Sequence, residues 1–380
     1  MIKKILIITL EFPPQIGGIA TLVSSFASSL DPAKVIVLTD KFQDAERFDS
    51  VQNYKIIRRP LLFPAFIWPR WLRLVWYVWR LVKKEKIEKI IVHHTLPSGY
   101  AALLMKWFCR IPFFVFCHGT DVTVGTKTQW KSRLFSFVAT RASLIVFSSL
   151  SLEDRFLSAF PNLKTPRLIL YPSPNKIFLS ETSTDQILKI KNNYGLLGKK
   201  VLLTVTRIVP GKGVLTLAKL LPYLLKNIPN LVWVVVGTGK ELPRVEKEIQ
   251  TLRLQNVVRF VGDVPQTELP LFYHAADVMA VLTHRFGQHE EGFGLVFLEA
   301  ASCGIPVVAG QSGGVGEAVE NGTTGLVVDT NNENEMREAL LAVLGNADYA
   351  KRLGTAAKLR VNSEFLWTHQ VEKLRPWLET

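Results

Sequence analysis

Glu290-Glu-Gly-Phe-Gly-Leu-Val-Phe-Leu-Glu-Ala300 sets Glu291 and Glu299 eight positions apart across a Gly-Phe-Gly turn. The apolar run Met279-Ala-Val-Leu before it reads as a buried strand. Leu295 to Cys303 reads as a helix closed by Gly304 and Pro306. Gly292 and Gly294 let the backbone turn tightly and leave amides uncovered at a helix N-terminus, where unpaired N–H groups and the helix dipole favour an anion. Glu291 on the turn and Glu299 about one turn into the helix are predicted to face one ligand. Two carboxylates beside an anion site suit a molecule carrying both hydroxyls and phosphates, such as a nucleotide-sugar.

The same strand-then-helix order recurs along the chain. In the first half the apolar runs Lys4–Leu10, Lys34–Leu38, Ile90–Val92, Phe113–Cys117, Leu144–Ser148 and Arg167–Tyr171 read as strands. Pro172-Ser-Pro-Asn and the polar stretch through Glu181 and Asp185 read as a linker. A second series follows at Val201–Thr206, Val232–Val236, Val257–Val261, Asp277–Val281, Pro306–Ala309 and Gly325–Val328. Strands interleaved with helices predict one parallel sheet per half, covered on both faces, with ligands held at the carboxyl ends of the strands. At 380 residues the chain exceeds one ordinary core, so two α/β domains are expected. Their predicted extents are 1–180, joined by a C-terminal helix over about 362–380, and 181–361.

A hydrophobic content of 48% excludes general disorder. Cys109, Cys117 and Cys303 form an odd, sparse set without metal-ligand spacing, which fits a reduced cytosol. The apolar run near the N-terminus stops at Glu11 and Pro13, too short for a secretory signal, and no stretch reaches the ~18 apolar residues of a membrane span. Residues 1–190 hold 26 Lys and Arg against 13 Asp and Glu, whereas residues 191–380 hold 20 against 19. The basic excess belongs to the first half and points to an anionic partner there.

Val205-Thr-Arg-Ile-Val-Pro-Gly-Lys-Gly-Val214 follows the first strand of the second half. Arg207 leaves the strand end and Lys212 starts a helix, so two cations converge where a diphosphate would gain charge as its bond to a sugar breaks. Glu11-Phe-Pro-Pro-Gln-Ile-Gly-Gly-Ile-Ala20 also follows a strand and opens a helix, and Gly17-Gly18 permits close backbone approach to a phosphate or sugar ring. Cys117-His-Gly-Thr-Asp121 ends a Phe-rich strand and sets His118 at its carboxyl end. His93-His94 ends a strand too, and is read there as an ordinary structural pair. The sequence contains no Asp-x-Asp, so a metal-held diphosphate is not expected; Arg207 and Lys212 would take the metal's place.

From Arg70 onward, Arg70, Arg73, Tyr77, Arg80 and Lys84 fall within about 80° on a helical wheel. Trp71, Trp76 and Trp79 belong to a wide apolar arc beside them. Cations with interfacial tryptophans suit a helix lying in an anionic lipid surface, so Arg70, Trp71, Arg73, Trp76, Arg80 and Lys84 are candidate membrane contacts. A helix merely packed on its sheet with one cationic stripe is the competing reading.

Taken together, Glu291 and Glu299, Arg207 and Lys212, Gly17-Gly18, Gly237-Thr-Gly, Arg259-Phe-Val-Gly-Asp-Val and Ser312-Gly-Gly-Val-Gly-Glu resemble the motifs of glycosyltransferase family 4. These are retaining enzymes of GT-B architecture, two Rossmann-like doubly wound parallel-sheet domains facing a cleft. The resemblance covers nearly the full chain and is strongest from Val201 to Asp329. It implies that Gly17 and Gly18 with Arg207 and Lys212 hold the donor diphosphate, and that Glu299 binds the ribose. It further implies that Glu291 with the backbone of Phe293, Gly294 and Leu295 binds the sugar, that His118 contacts it near the reacting carbon, and that backbone at Val264 meets the base. His118, Glu291, Arg207 and Lys212 are thus the expected catalytic set.

Arg285-Phe-Gly-Gln-His-Glu-Glu-Gly and Ala309-Gly-Gln-Ser-Gly-Gly look nearest to bacterial phosphatidylinositol mannosyltransferases. The family's usual Pro-Asn-Gly-Val-Asp before the linker is Pro172-Ser-Pro-Asn-Lys here, which leaves the hinge unassigned. The expectation is a metal-independent transfer of a hexose, mannose or glucose, to a lipid-linked or polysaccharide-precursor acceptor. The nucleotide-sugar, GDP-mannose favoured, would be a co-substrate with no separate cofactor, and no nucleic acid would be a partner. The expected place is the cytoplasm, attached to the inner face of the cell membrane.

Other classes fit less of the sequence. A sugar-nucleotide epimerase of the same fold needs further acid/base residues that no motif supplies. A non-catalytic lipid-binding module accounts for Arg70–Lys84 but not for the second-half motifs. A nucleic-acid binder accounts only for the basic half.

Overall fold

A computed structural model describes residues 3–15, 17–119, 122, 125 and 127–379. It divides into two compact units. One comprises the residues up to Ser173 together with those from Leu366 on, the other Pro174–Phe365.

The first unit holds seven strands: β1 Ile5–Thr9, β2 Val35–Thr39, β3 Lys55–Arg58, β4 Lys89–His93, β5 Phe113–Cys117, β6 Leu144–Phe147 and β7 Arg167–Ile169. They form one parallel sheet in the order β3-β2-β1-β4-β5-β6-β7. The five inner strands are buried along their whole length, which is why each is built on a continuous apolar run rather than an alternating one, with polar residues only at strand ends such as Lys89 and His93. The edge strand β3, Lys-Ile-Ile-Arg, is four residues long with no buried residue, and its apolar run is only Ile56-Ile57. β1 lies in register with β4 from Ile5 opposite Lys89 to Thr9 opposite His93. The order reverses between these two strands, so the loops after β1 and β4 diverge there and leave a crevice at their carboxyl ends.

Helix Leu72–Glu85 packs Leu74, Val78 and Val82 into this unit's core, four residues apart as one helix face requires. Helix Trp367–Glu379 returns to the same unit. Trp367 Nε1 donates to Ser25 Oγ at 3.0 Å, its ring packs on Phe26, and Lys89 Nζ donates to the Trp377 carbonyl.

The second unit holds β8 Lys200–Val205, β9 Leu231–Val236, β10 Val258–Gly262, β11 Val278–Val281, β12 Val307–Gly310 and β13 Gly325–Val328. They too are all parallel, in the order β10-β9-β8-β11-β12-β13, with the reversal between β8 and β11. The unit starts at Pro174 and ends at Phe365, not at 181 and 361. Phe178, in the 3-10 turn Lys176–Leu179, is buried with its ring 5.7 Å from Tyr273, which ties the expected linker to this core. Phe365 is held at the far end by Phe293, ring centroids 5.7 Å apart.

Candidate active site

In the second unit the predicted motifs gather at the carboxyl ends of the strands. Arg207 follows β8 and is exposed, and Lys212 lies just before helix Val214–Asn227. Gly213 stands at φ 71°, and a Cβ there would come within 2.1 Å of the Leu282 carbonyl, so only glycine lets this loop lie against the end of β11. That proximity lets Lys212 Nζ form an ion pair with Glu291 Oε2. The acidic loop is fixed from its other side, where Glu291 N donates to Ser312 Oγ at 3.3 Å and Gly314 N donates to the Glu291 carbonyl at 3.0 Å. Gly313 permits this second contact, since a Cβ on it would lie 2.0 Å from the same carbonyl. Further along the sheet edge, Thr238 Oγ1 donates to Asp263 Oδ2 at 2.8 Å and joins the loops after β9 and β10, next to the partly buried Val264.

Helix Leu295–Ser302 begins after Gly294, φ 90°, and no side chain caps it. The Phe293 side chain is buried, so only its backbone is placed to meet a ligand. Glu299 is the fifth residue of the helix, about one turn in as the sequence reads, and is only 7% exposed. Its Oε2 accepts from the Tyr273 hydroxyl at 2.9 Å. Burial pushes its pKa up to about 7, partly offset by that hydrogen bond.

An unfolded glutamate ionises near 4.5 and this one near 7. The folded state therefore holds its proton longer, and stability from this group is full below 4.5 and lost as the pH climbs to 7, by about 3 kcal/mol. Glu299→Gln, neutral throughout, should melt above the wild type at pH 8 and level with it at pH 4. Equal melting at both values would place the carboxyl in the ordinary range.

In the first unit, His118 follows β5, and three histidines meet where β4 and β5 end. His118 Nε2 lies 2.9 Å from His93 Nδ1 with the two rings parallel within 3°, and the His94 ring is 6.2 Å from that of His118. His94 Nε2 lies 3.6 Å from Glu11 Oε1 on the loop after β1. Burial, with His94 alongside, drives the His118 pKa down to about 3. His93-His94 is thus part of the cluster rather than a separate structural pair. A sequence signal existed, since two strand ends on neighbouring strands both carry histidine. Thr120 and Asp121 of the His118 motif, and Ile16 of the glycine motif, lie outside the described residues.

Gly17 has φ 170°, an extended backbone open to any residue, and a Cβ on Gly18 would meet nothing within 4 Å. The chain's own packing therefore does not demand the glycine pair.

The lipid-facing expectation needs two corrections. The helix starts at Leu72, so Arg70 lies in the turn before it, where its Nε donates to the Phe63 carbonyl at 2.8 Å. Trp71 is partly buried against Tyr100, ring centroids 4.8 Å apart. Arg73 lies over Phe63, while Arg80 lies over Trp76. Trp76, Trp79, Arg80, Lys83 and Lys84 are exposed. Phe66 and Trp68, on the turn leading into the helix, are 86% and 87% exposed and were not singled out in the sequence. Aromatics held between Pro64 and Pro69, away from any periodic element, were the available signal. Among the described residues no helix is long and apolar enough to cross a membrane.

Two parallel-sheet units, the second with paired cations and carboxylates at its topological reversal, define a glycosyltransferase of GT-B architecture. Residues 16–166 match the model of Glycosyltransferase Family 4 and residues 186–360 that of Glycosyl transferases group 1, and the chain belongs to this family.

A GDP-mannose-dependent alpha-(1-6)-phosphatidylinositol monomannoside mannosyltransferase of Mycobacterium tuberculosis is 28% identical over 99% of this chain and 98% of its own length. The GDP-mannose-dependent monoacylated alpha-(1-6)-phosphatidylinositol monomannoside mannosyltransferase of Corynebacterium glutamicum is 27% identical over 100% and 98%. Among solved structures, Anabaena HepE in complex with UDP and glucose superposes with a TM-score of 0.82 at 21% identity, covering 100% of both chains.

Proposed function

We propose that the protein moves a hexose, mannose, from GDP-mannose to a lipid-linked acceptor of the phosphatidylinositol mannoside kind, with retention of anomeric configuration and without a metal. The observation that carries this reading is the Lys212–Glu291 pair at the reversal between β8 and β11, with Arg207 on the same loop as Lys212. As the bond from sugar C1 to the diphosphate breaks, negative charge grows on the leaving oxygen, and Lys212, held by Glu291, and the exposed Arg207 supply positive charge there. Glu291, held by Lys212 and Ser312, is assigned to the sugar hydroxyls, with the amides of Phe293, Gly294 and Leu295 beside it. Glu299 takes the ribose hydroxyls as a carboxylate, Val264 backbone the base, and the open Gly17-Gly18 backbone the diphosphate. His118 meets the hexose. The relatives' GDP-mannose supports the donor, and their phosphatidylinositol mannosides support the acceptor.

The exposed cations and tryptophans of helix Leu72–Glu85, with Phe66 and Trp68, would hold the protein at an anionic membrane on its cytoplasmic face. A panel of nucleoside-diphosphate hexoses, each mixed with phosphatidylinositol mannoside vesicles, tests the reading. GDP-mannose should release GDP and yield a lipid carrying one more mannose. Release with no lipid product, or preference for another donor, would refute the acceptor or the donor respectively.

A further inference from the structure

We propose that His93 is a positioning residue: its Nδ1–H donates to His118 Nε2 and so fixes the His118 proton on Nδ1. Only one proton can lie between the two nitrogens 2.9 Å apart, and it belongs to one ring or the other. His93 is fully buried, with the Phe116 ring 4.7 Å and the Phe26 ring 6.0 Å from its own. Among the described residues its Nε2 has no hydrogen-bond partner.

If His118 were the donor, the His93 proton would sit on Nε2 as an orphaned N–H inside an aromatic pocket. Buried unpaired N–H groups are rarer than unpaired acceptors, so the proton sits on Nδ1 instead and Nε2 is a bare acceptor. His118 Nε2 then accepts, and its own proton is held at Nδ1. Burial keeps both rings neutral by lowering both pKa values. His118 therefore meets the hexose as a neutral hydrogen-bond donor through Nδ1, and neither as a base nor as an imidazolium. That last step rests on the assignment of His118 to the sugar; the tautomer itself does not.

Long-range nitrogen–proton NMR on the full chain with ¹⁵N-labelled histidine reads the tautomer without any turnover. The proton should be found on Nδ1 in both His93 and His118, and an Nε2–H form of His118 would overturn the proposal. Turnover then tests the consequence. His93→Leu removes the donor and should lower kcat about tenfold, with the affinity for GDP alone unchanged. His93→Asn offers an N–H close to the position of Nδ1 and should recover most of the loss. Turnover lowered equally in the Leu and Asn variants would refute positioning through that hydrogen bond. The predicted tautomer together with wild-type turnover in both variants would instead remove His118 from the sugar site.

Discussion

Lys212→Ala lowers turnover by about 10² or more, read as GDP release from GDP-mannose in the presence of acceptor vesicles. The lysine stands at the end of a loop that Gly213 allows against β11, so its charge is set in place before substrate arrives. Fixed charge that needs no rearrangement is what lowers a barrier where anionic character develops. Arg207→Ala should cost a similar factor, because its exposed guanidinium serves the same leaving group. The fold should persist in both, since neither side chain belongs to the unit's core.

The ion pair adds a further expectation. Lys212→Ala leaves Glu291 without its partner, so Glu291→Gln added to it should cost less than the product of the single effects. Multiplicative losses would mean that the two side chains act independently, and near-normal turnover in Lys212→Ala would remove it from the diphosphate site.

Reversing Arg80, Lys83 and Lys84 to glutamate should weaken binding to anionic vesicles about 10²-fold or more. Each cation near such a surface contributes ~1 kcal/mol, and three reversals remove that and add repulsion. These three residues are exposed and lie on the helix itself, whereas Arg70 lies in the turn before it and Arg73 is partly buried over Phe63. At 1 M salt the Debye length falls to ~3 Å, and the difference between wild type and variant should largely vanish. Changing Phe66 and Trp68 to serine should instead weaken binding at every salt concentration, because burial of aromatic area does not depend on screening. Wild type that ignores anionic vesicles, or a triple variant that binds them equally well, would reduce the helix to a sheet-packing element.

How far the sequence could be read follows from what each residue is asked to do. Buried parallel strands must be apolar on both faces, so the inner strand β5 is readable to the residue and the other inner strands to within one. The edge strand β3 was invisible because its apolar run is only Ile56-Ile57 between Lys55 and Arg58, whereas the edge strand β13 carries the longer run Leu326-Val-Val328. The loops carrying Arg207, Lys212 and Glu291 were readable because close backbone approach requires glycine at set positions. The depth of Glu299 was not, since spacing alone does not reveal Tyr273 packed over its carboxyl. The histidine cluster was half legible. His93 and His118 are 25 residues apart and meet only because β4 and β5 are neighbours, a fact of strand order rather than of local pattern. The start of helix Leu72–Glu85 was misread because its periodic residues begin before the helix does.

The anomeric configuration of the new linkage tests the central claim most directly. GDP-α-mannose and a phosphatidylinositol mannoside would be incubated with the protein in excess chelator, and the lipid product examined by NMR for its one-bond C1–H1 coupling. An α-mannoside formed at an undiminished rate is the predicted result. A β-mannoside, or no product until Mg²⁺ or Mn²⁺ is restored, would contradict the account.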